Sequence, residues 1–335
     1  TATTYIYTLS LHDALPISAF AFFTCALAIH YMKVNGYLTE KTDKLAFFEK
    51  CRVLSKTMPD FFMPIFEFET LDLPISKLFE LLNNVDEMEF VNKPEVIGRI
   101  YQYYISDLKE EAFLLLQKNI RITKERLPAA TQIFTPQWIV KYLIENSLCK
   151  LSGIRMGKWE YCIEKPDKCK DFDIKKTTLI DPCMGSGNML LYAFDVFMDL
   201  YADSGIDSAE ATESILQNNL FGLDIDEKAY RLSYFSLLMK AGSYNKNILG
   251  RQIDLNLCAI KQDKDYFKNA KELGSLIGGV IVPKGHTLEK QAGIMGGSFD
   301  VVVTNPPYMG RKSINATLAD YLRKKIGRAS RRERV

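Results

Sequence analysis

Three short apolar runs, each closed by a polar loop residue, constrain this chain more than any other feature. Residues 178–180 lead into Asp181, Phe221-Gly222-Leu223 leads into Asp224, and residues 299–304 lead into Asn305. Runs this short suit buried strands, while the stretches between them at 188–201 and 207–218 carry helical spacing. Strands alternating with amphipathic helices predict a parallel α/β sheet, and such sheets bind ligands at the carboxyl ends of their strands. A further strand is expected at 255–260, with Gln262 and Asp263 near the ligand's base.

The first loop reads Asp181-Pro182-Cys183-Met184-Gly185-Ser186-Gly187. Gly185 and Gly187 let the backbone pass close to a ligand and present N–H groups at the start of the following helix. A phosphate loop would need G-K-[ST], and a dinucleotide site a third glycine at the expected offset; neither is present. The Asp181 charge is unfavourable for a pyrophosphate and suits an ammonium or sulfonium group, so the favoured cofactor is cationic. Asp224 stands where α/β nucleotide folds place an acid on ribose hydroxyls, and Ile225 could cover one face of an adenine. Asp226, in the run Asp226-Glu227-Lys228, reads instead as part of the first turn of the next helix.

The third loop, Asn305-Pro306-Pro307-Tyr308, suits a planar amine. The lone pair of an exocyclic amine on an aromatic base is delocalised into the ring. Two acceptors on its N–H groups would draw the nitrogen toward a tetrahedral form and release that pair. The side-chain oxygen of Asn305 and the carbonyl of Pro306 could be those acceptors, held by two successive proline rings. Tyr308 offers a face for stacking, a contact that contributes roughly 1–3 kcal/mol per base.

In this order the three loops resemble those of the amino-group DNA methyltransferases that use S-adenosyl-L-methionine, in particular the adenine-N6 enzymes. The segment Ile133-Phe134-Thr135-Pro136-Gln137-Trp138 precedes the glycine loop, as the cofactor-flanking segment does in one subgroup of that family. The resemblance implies that Phe134, Thr135 and Pro136 lie against the methionine part of the cofactor. It also implies direct transfer to the N6 amine of an adenine extruded from double-stranded DNA. Over residues 19–323 the chain resembles the adenine methyltransferases of the BREX phage-resistance systems, so a role in phage defence or restriction–modification is expected, possible partners being other defence-system proteins. The fold expected is a Rossmann-like class I methyltransferase sheet, truncated, in residues 127–325, preceded by an α-helical N-terminal domain in residues 19–126. Within the latter, helices are expected at 45–54, 75–82, 95–105 and 108–118. Residues 159–176 read as a polar insertion ahead of the first strand.

Other chemistries find little support. The seven cysteines include no C-x-x-C, so neither zinc nor a disulfide framework is indicated, and Cys183 reads as a small buried thiol. With histidine only at 12, 30 and 286, no metal site or histidine-based triad is expected. The balance of 43 basic against 41 acidic residues says little about nucleic acid. The apolar stretch 19–29 is too short to span a bilayer and reads as a buried helix, so no membrane partner is expected and the composition fits a cytoplasmic enzyme. Residues 1–18 and 326–335 resemble translated sequencing-adapter sequence and are expected to be foreign. Family members continue beyond the Asn-Pro-Pro-Tyr strand, so the stretch is expected to be an N-terminal piece of a longer protein, unstable or inactive on DNA by itself. Two other readings stay open: an RNA or protein-glutamine amino methyltransferase, and a non-catalytic methyltransferase-like module of a defence complex.

Overall fold

The computed structural model describes residues 11–38, 44–69, 75–104, 106–117, 135–163, 172–278, 280–306 and 316–325. Its first part is helical: α1 (Leu11–Val34), α2 (Lys44–Ser55), the short α3 (Pro59–Phe62), α4 (Ile75–Asn83), α5 (Glu95–Tyr104) and α6 (Ser106–Gln117). These match the helical spacing of the sequence to within a few residues. From Phe20 to Met32 almost every side chain of α1 is buried. That explains its apolar character all round, which is the pattern of a helix enclosed by protein. No helix among the described residues is long and apolar enough to cross a membrane.

The second part is mixed α/β. After α7 (Gln137–Ser152), the chain runs β1 (Leu179–Asp181), α8 (Asn188–Asp203), α9 (Ser208–Ser214), β2 (Leu220–Asp224), α10 (Glu227–Tyr244) and β3 (Asn256–Ala259). It continues through α11 (Ala270–Leu273), α12 (Glu289–Gly296), β4 (Val301–Val302) and α13 (Ala316–Lys325). The sheet has the order β3-β2-β1-β4 and is parallel throughout, with Leu179 opposite both Leu220 and Val301 and Asp224 opposite Ala259. This is a small Rossmann-like parallel sheet with helices ahead of it, as the order of elements in the sequence predicts.

Alternation along the strands divides the side chains between two cores. Leu179, Leu220, Leu257 and Val301 join the large core under α7, α8 and α10. Ile180, Leu223 and Ile260 join a smaller one with Phe267, Leu288 and Ile294. The large core is continuous with the N-terminal helices, because α3 and α5 pack on α10. Phe235 of α10 is the centre of that contact. Its ring stacks on Phe61 at 4.6 Å between centroids, and Phe62 and Tyr31 meet it edge-on at 6.3 and 6.4 Å.

The polar reading of residues 159–176 needs correction at both ends of the segment. Trp159, Cys162 and Ile174 are buried, and Trp159 Nε1 donates to Asp199 of α8. Glu145, buried on α7, accepts from the Tyr161 N–H and from the Tyr192 hydroxyl. On the far side Asn219, in a π-helical turn between α9 and β2, donates to the carbonyls of Ile174 and Thr177 at 2.8 and 2.7 Å. Charged residues outnumber these anchors in the sequence, but burial of one indole and one aliphatic side chain decides where the segment docks.

Phe235→Ala is expected to destabilise the chain by about 3–5 kcal/mol, the usual cost of removing a buried phenylalanine ring. Denaturant unfolding measures it. A loss below about 1 kcal/mol would mean that the helical region and the sheet do not share this core.

Candidate functional site

The strand order places the chain reversal between β1 and β4, which is where parallel α/β sheets open a crevice at their carboxyl edge. Asp181 ends β1, Asp224 ends β2, and Asn305 follows β4 at that same edge. Asp181, Asp224 and Thr135 are all buried. Phe134, Pro307 and Tyr308 lie outside the described residues.

The first loop turns on Asp181, whose Oδ1 accepts from the Cys183 N–H at 3.1 Å. Gly185 and Gly187 follow with φ of 55° and 86°, in the left-handed region that side chains disfavour. Gly187 caps α8 without a side chain, and a Cβ there would lie 3.2 Å from Ser233 Cβ. Pro182 stands half-buried at the start of the turn. The second loop is tied to the first through Asp224: Oδ2 accepts from the Gly185 N–H and Oδ1 from the Asp226 N–H, both at 2.8 Å. Each carboxylate oxygen keeps a further lone pair for a ligand hydroxyl. Ile225 is half-buried against the smaller core, and its carbonyl accepts from Lys271 Nζ at 2.6 Å.

The third loop meets the segment ahead of α7. Asn305 Nδ2 donates to Thr135 Oγ1 at 3.1 Å across 170 positions of sequence. The Thr135 carbonyl accepts from Asn188 Nδ2 at 2.9 Å, and Asn188 Oδ1 accepts from Gln137 Nε2 at 3.1 Å. Thr135 therefore joins the β4 end to the first turn of α8. Pro306 follows Asn305, exposed, and Pro136 caps α7. Asn188, Gln137 and Thr304 are polar groups of this edge to which the sequence reading assigns no role.

Electrostatics follow from burial. Desolvation pushes Asp181 up to about 7, with the Asp224 charge adding to the rise and the Cys183 N–H opposing it. Desolvation likewise raises Asp224 to about 6; the Asp226 charge adds, while the N–H groups of Asp226 and Gly185 and the Lys271 ammonium oppose. Burial drives the Cys183 thiol up to about 11, so it is not a thiolate near neutral pH and makes a poor nucleophile. The Thr304 hydroxyl, beside Asp181 and Cys183, is buried with no hydrogen bond of good geometry among the described residues. Two reluctant carboxylates at neighbouring strand ends, with the Thr304 hydroxyl beside Asp181 helping to hold its charge, fit a ligand that brings positive charge and hydroxyl groups. No group of histidine, cysteine and acidic side chains suited to a metal occurs among the described residues. Gln262 is exposed and Asp263 serves its own turn, accepting from the N–H groups of Asp265 and Tyr266.

Comparison with known proteins converges on one chemistry. Residues 218–334, from the approach to β2 through the Asn305 loop, match the Eco57I restriction-modification methylase family model. The chain is 28% identical to the adenine-specific methyltransferase BrxX of Escherichia coli O9:H4 (strain HS) over 392 aligned positions, which take in 88% of this chain and 32% of BrxX. It is 29% identical to the adenine-specific methyltransferase PglX of Lacticaseibacillus casei (strain Zhang), over 84% of this chain and 30% of PglX. The type II restriction enzyme and methyltransferase RM.Eco57I of Escherichia coli is 24% identical over 66% of this chain and 22% of its own length. The chain thus spans about a third of the length of BrxX and PglX.

The raised carboxylates carry a pH signature. A folded-state value above the unfolded one means that Asp181 favours folding below about pH 4 and that this contribution is lost as pH rises through about 7. Asp181→Asn removes the titration, so its stability relative to the parent chain should improve between pH 5 and pH 8 by on the order of 1 kcal/mol or more. Urea unfolding of the two proteins at both pH values measures this. A difference that does not change with pH would contradict a raised Asp181.

Proposed function

We propose that this chain carries the cofactor site and the amine-binding tip of an S-adenosyl-L-methionine-dependent methyltransferase that modifies the N6 amine of adenine in double-stranded DNA, in phage defence or restriction–modification. The observation that carries the reading is the meeting of Asn305 with Thr135 at the strand edge where Asp181 and Asp224 are buried. The likeness to adenine-specific methyltransferases supports the same chemistry from outside the structure.

The cofactor, when bound, supplies a methyl group activated by a sulfonium. Asp224 keeps lone pairs for the ribose hydroxyls, and Ile225 beside it suits the adenine face. Asp181, whose ionisation is held back by burial, gains from a cation nearby, so binding of the positively charged cofactor draws it toward the carboxylate. The N–H groups at the glycine loop are suited to the polar end of the ligand. Phe134 and Pro136 complete the segment assigned to its methionine part. On the acceptor side, the Asn305 amide is held from one end by Thr135, leaving its oxygen to take one N–H of the target amine, with the Pro306 carbonyl taking the other. The base is extruded from the duplex at a cost of a few kcal/mol, and by the family resemblance Tyr308 offers the face on which it stacks. Positioning and fixed dipoles then contribute most of the rate, and no covalent enzyme intermediate is needed.

The test is methylation by the longer protein that contains this chain, read as N6-methyladenine in DNA. Asn305→Ala should lower it by about 100-fold or more, as expected for loss of a preorganised polar group at the reacting atom, with a loss of stability of no more than about 1.5 kcal/mol from the Thr135 hydrogen bond. Methylation that survives this substitution would overturn the reading.

A further inference from the structure

The helical region touches the strand-end loops directly, through one face of α5. Gly98 faces the glycine loop so closely that a Cβ at this position would lie 2.8 Å from Ser186 Cβ, closer than real side-chain contacts allow. Three residues further along the helix, on the same face, the buried Tyr101 donates its hydroxyl to Asp226 Oδ2 at 2.7 Å. Asp226 in turn donates its N–H to Asp224 Oδ1, and its own Oδ1 caps α10 through the Lys228 N–H. Asp224 closes the circuit by accepting from Gly185. One turn of α5 therefore meets both loops: Gly98 at the loop after β1, and Tyr101 at the loop after β2. The Tyr101 ring is fixed from behind by Phe20 of α1, edge-on at 5.4 Å, and Lys228 Nζ lies 4.9 Å from the Phe20 ring centroid.

We infer that α5 is a positioning wall of the cofactor site, that Tyr101 is a positioning residue acting through Asp226 on Asp224, and that affinity for the nucleoside part of the ligand depends on this helix outside the sheet. The inference rests on the proposed cofactor reading for its ligand and on the contacts alone for its mechanics. Three acidic side chains, Asp181, Asp224 and Asp226, crowd the two loops. The phenolic hydroxyl holds Asp226 Oδ2 toward α5 while the Asp226 N–H donates to Asp224 Oδ1. Without that hydroxyl the Asp226 side chain is freer to turn, and Asp224 loses a fixed donor. Because Asp224 is suited to the ribose, the effect should fall equally on any ligand that contains adenosine.

Calorimetric binding of S-adenosyl-L-methionine and of adenosine to the 335-residue chain and to its Tyr101→Phe and Gly98→Ala variants tests this. Tyr101→Phe keeps the ring against Phe20 and should leave the unfolding temperature of the free protein unchanged, yet weaken both ligands by the same factor, about fivefold. Gly98→Ala should weaken them further and, without any ligand, speed hydrogen exchange at the Gly185 and Gly187 amides. Equal affinities for parent and Tyr101→Phe, with unchanged exchange in Gly98→Ala, would overturn the inference. If the parent chain binds neither ligand, the proposed cofactor reading fails. The exchange result then decides alone whether α5 holds the loops: faster exchange sustains that role and unchanged exchange overturns it.

Discussion

Two carboxylates buried at the ends of neighbouring parallel strands are the constraint on which the site depends. Asp181 and Asp224 cannot both ionise cheaply where they lie, since each is desolvated and each raises the other's cost or meets Asp226 nearby. The chain lowers that cost with backbone donors: the Cys183 N–H for Asp181, and the Gly185 and Asp226 N–H groups for Asp224. The Gly185 donor comes from a loop that turns in the left-handed region at Gly185 and Gly187. What remains uncompensated is charge, and a cationic ligand is the natural complement. Electrostatics and loop geometry thus point to the same class of ligand.

The rest of the fold keeps these loops in register. Parallel pairing of β1 with β2 and β4 brings three strand ends to one edge, and the strand order reverses at β1. Thr135 joins the end of β4 to the first turn of α8. Behind the sheet, the aromatic cluster around Phe235 fixes α3 and α1 against α10, and α5 packs on α10 as well. The position of α5 over the two loops is therefore a consequence of core packing as much as of its own hydrogen bond to Asp226.

Much of this was legible in the residues because it is local. Helix periodicity in 75–82 and 95–105, the glycine spacing of 185 and 187, and an acid after each of two apolar runs all express physics that operates within a few positions. Asp226 is another local success: it caps α10, as an acid beside Glu227 and Lys228 should. What could not be read are the pairings across long separations. Nothing in the sequence joins Asn305 to Thr135, Asn188 to the Thr135 carbonyl or Tyr101 to Asp226; each bond exists because the sheet order and the α10 packing bring its partners together. Residues 159–176 show the reverse error, in which the many charged residues of the sequence drew attention from the few buried groups at its described ends, Trp159, Cys162 and Ile174.

The most direct measurement is a crystal structure of the chain with S-adenosylhomocysteine. The account predicts the ribose on Asp224, the adenine beside Ile225, and the sulfur turned toward Asn305. Density for the ligand away from the β1–β2 strand ends, for example in the groove lined by Asp60, Tyr230, Cys258 and Lys290, would contradict it.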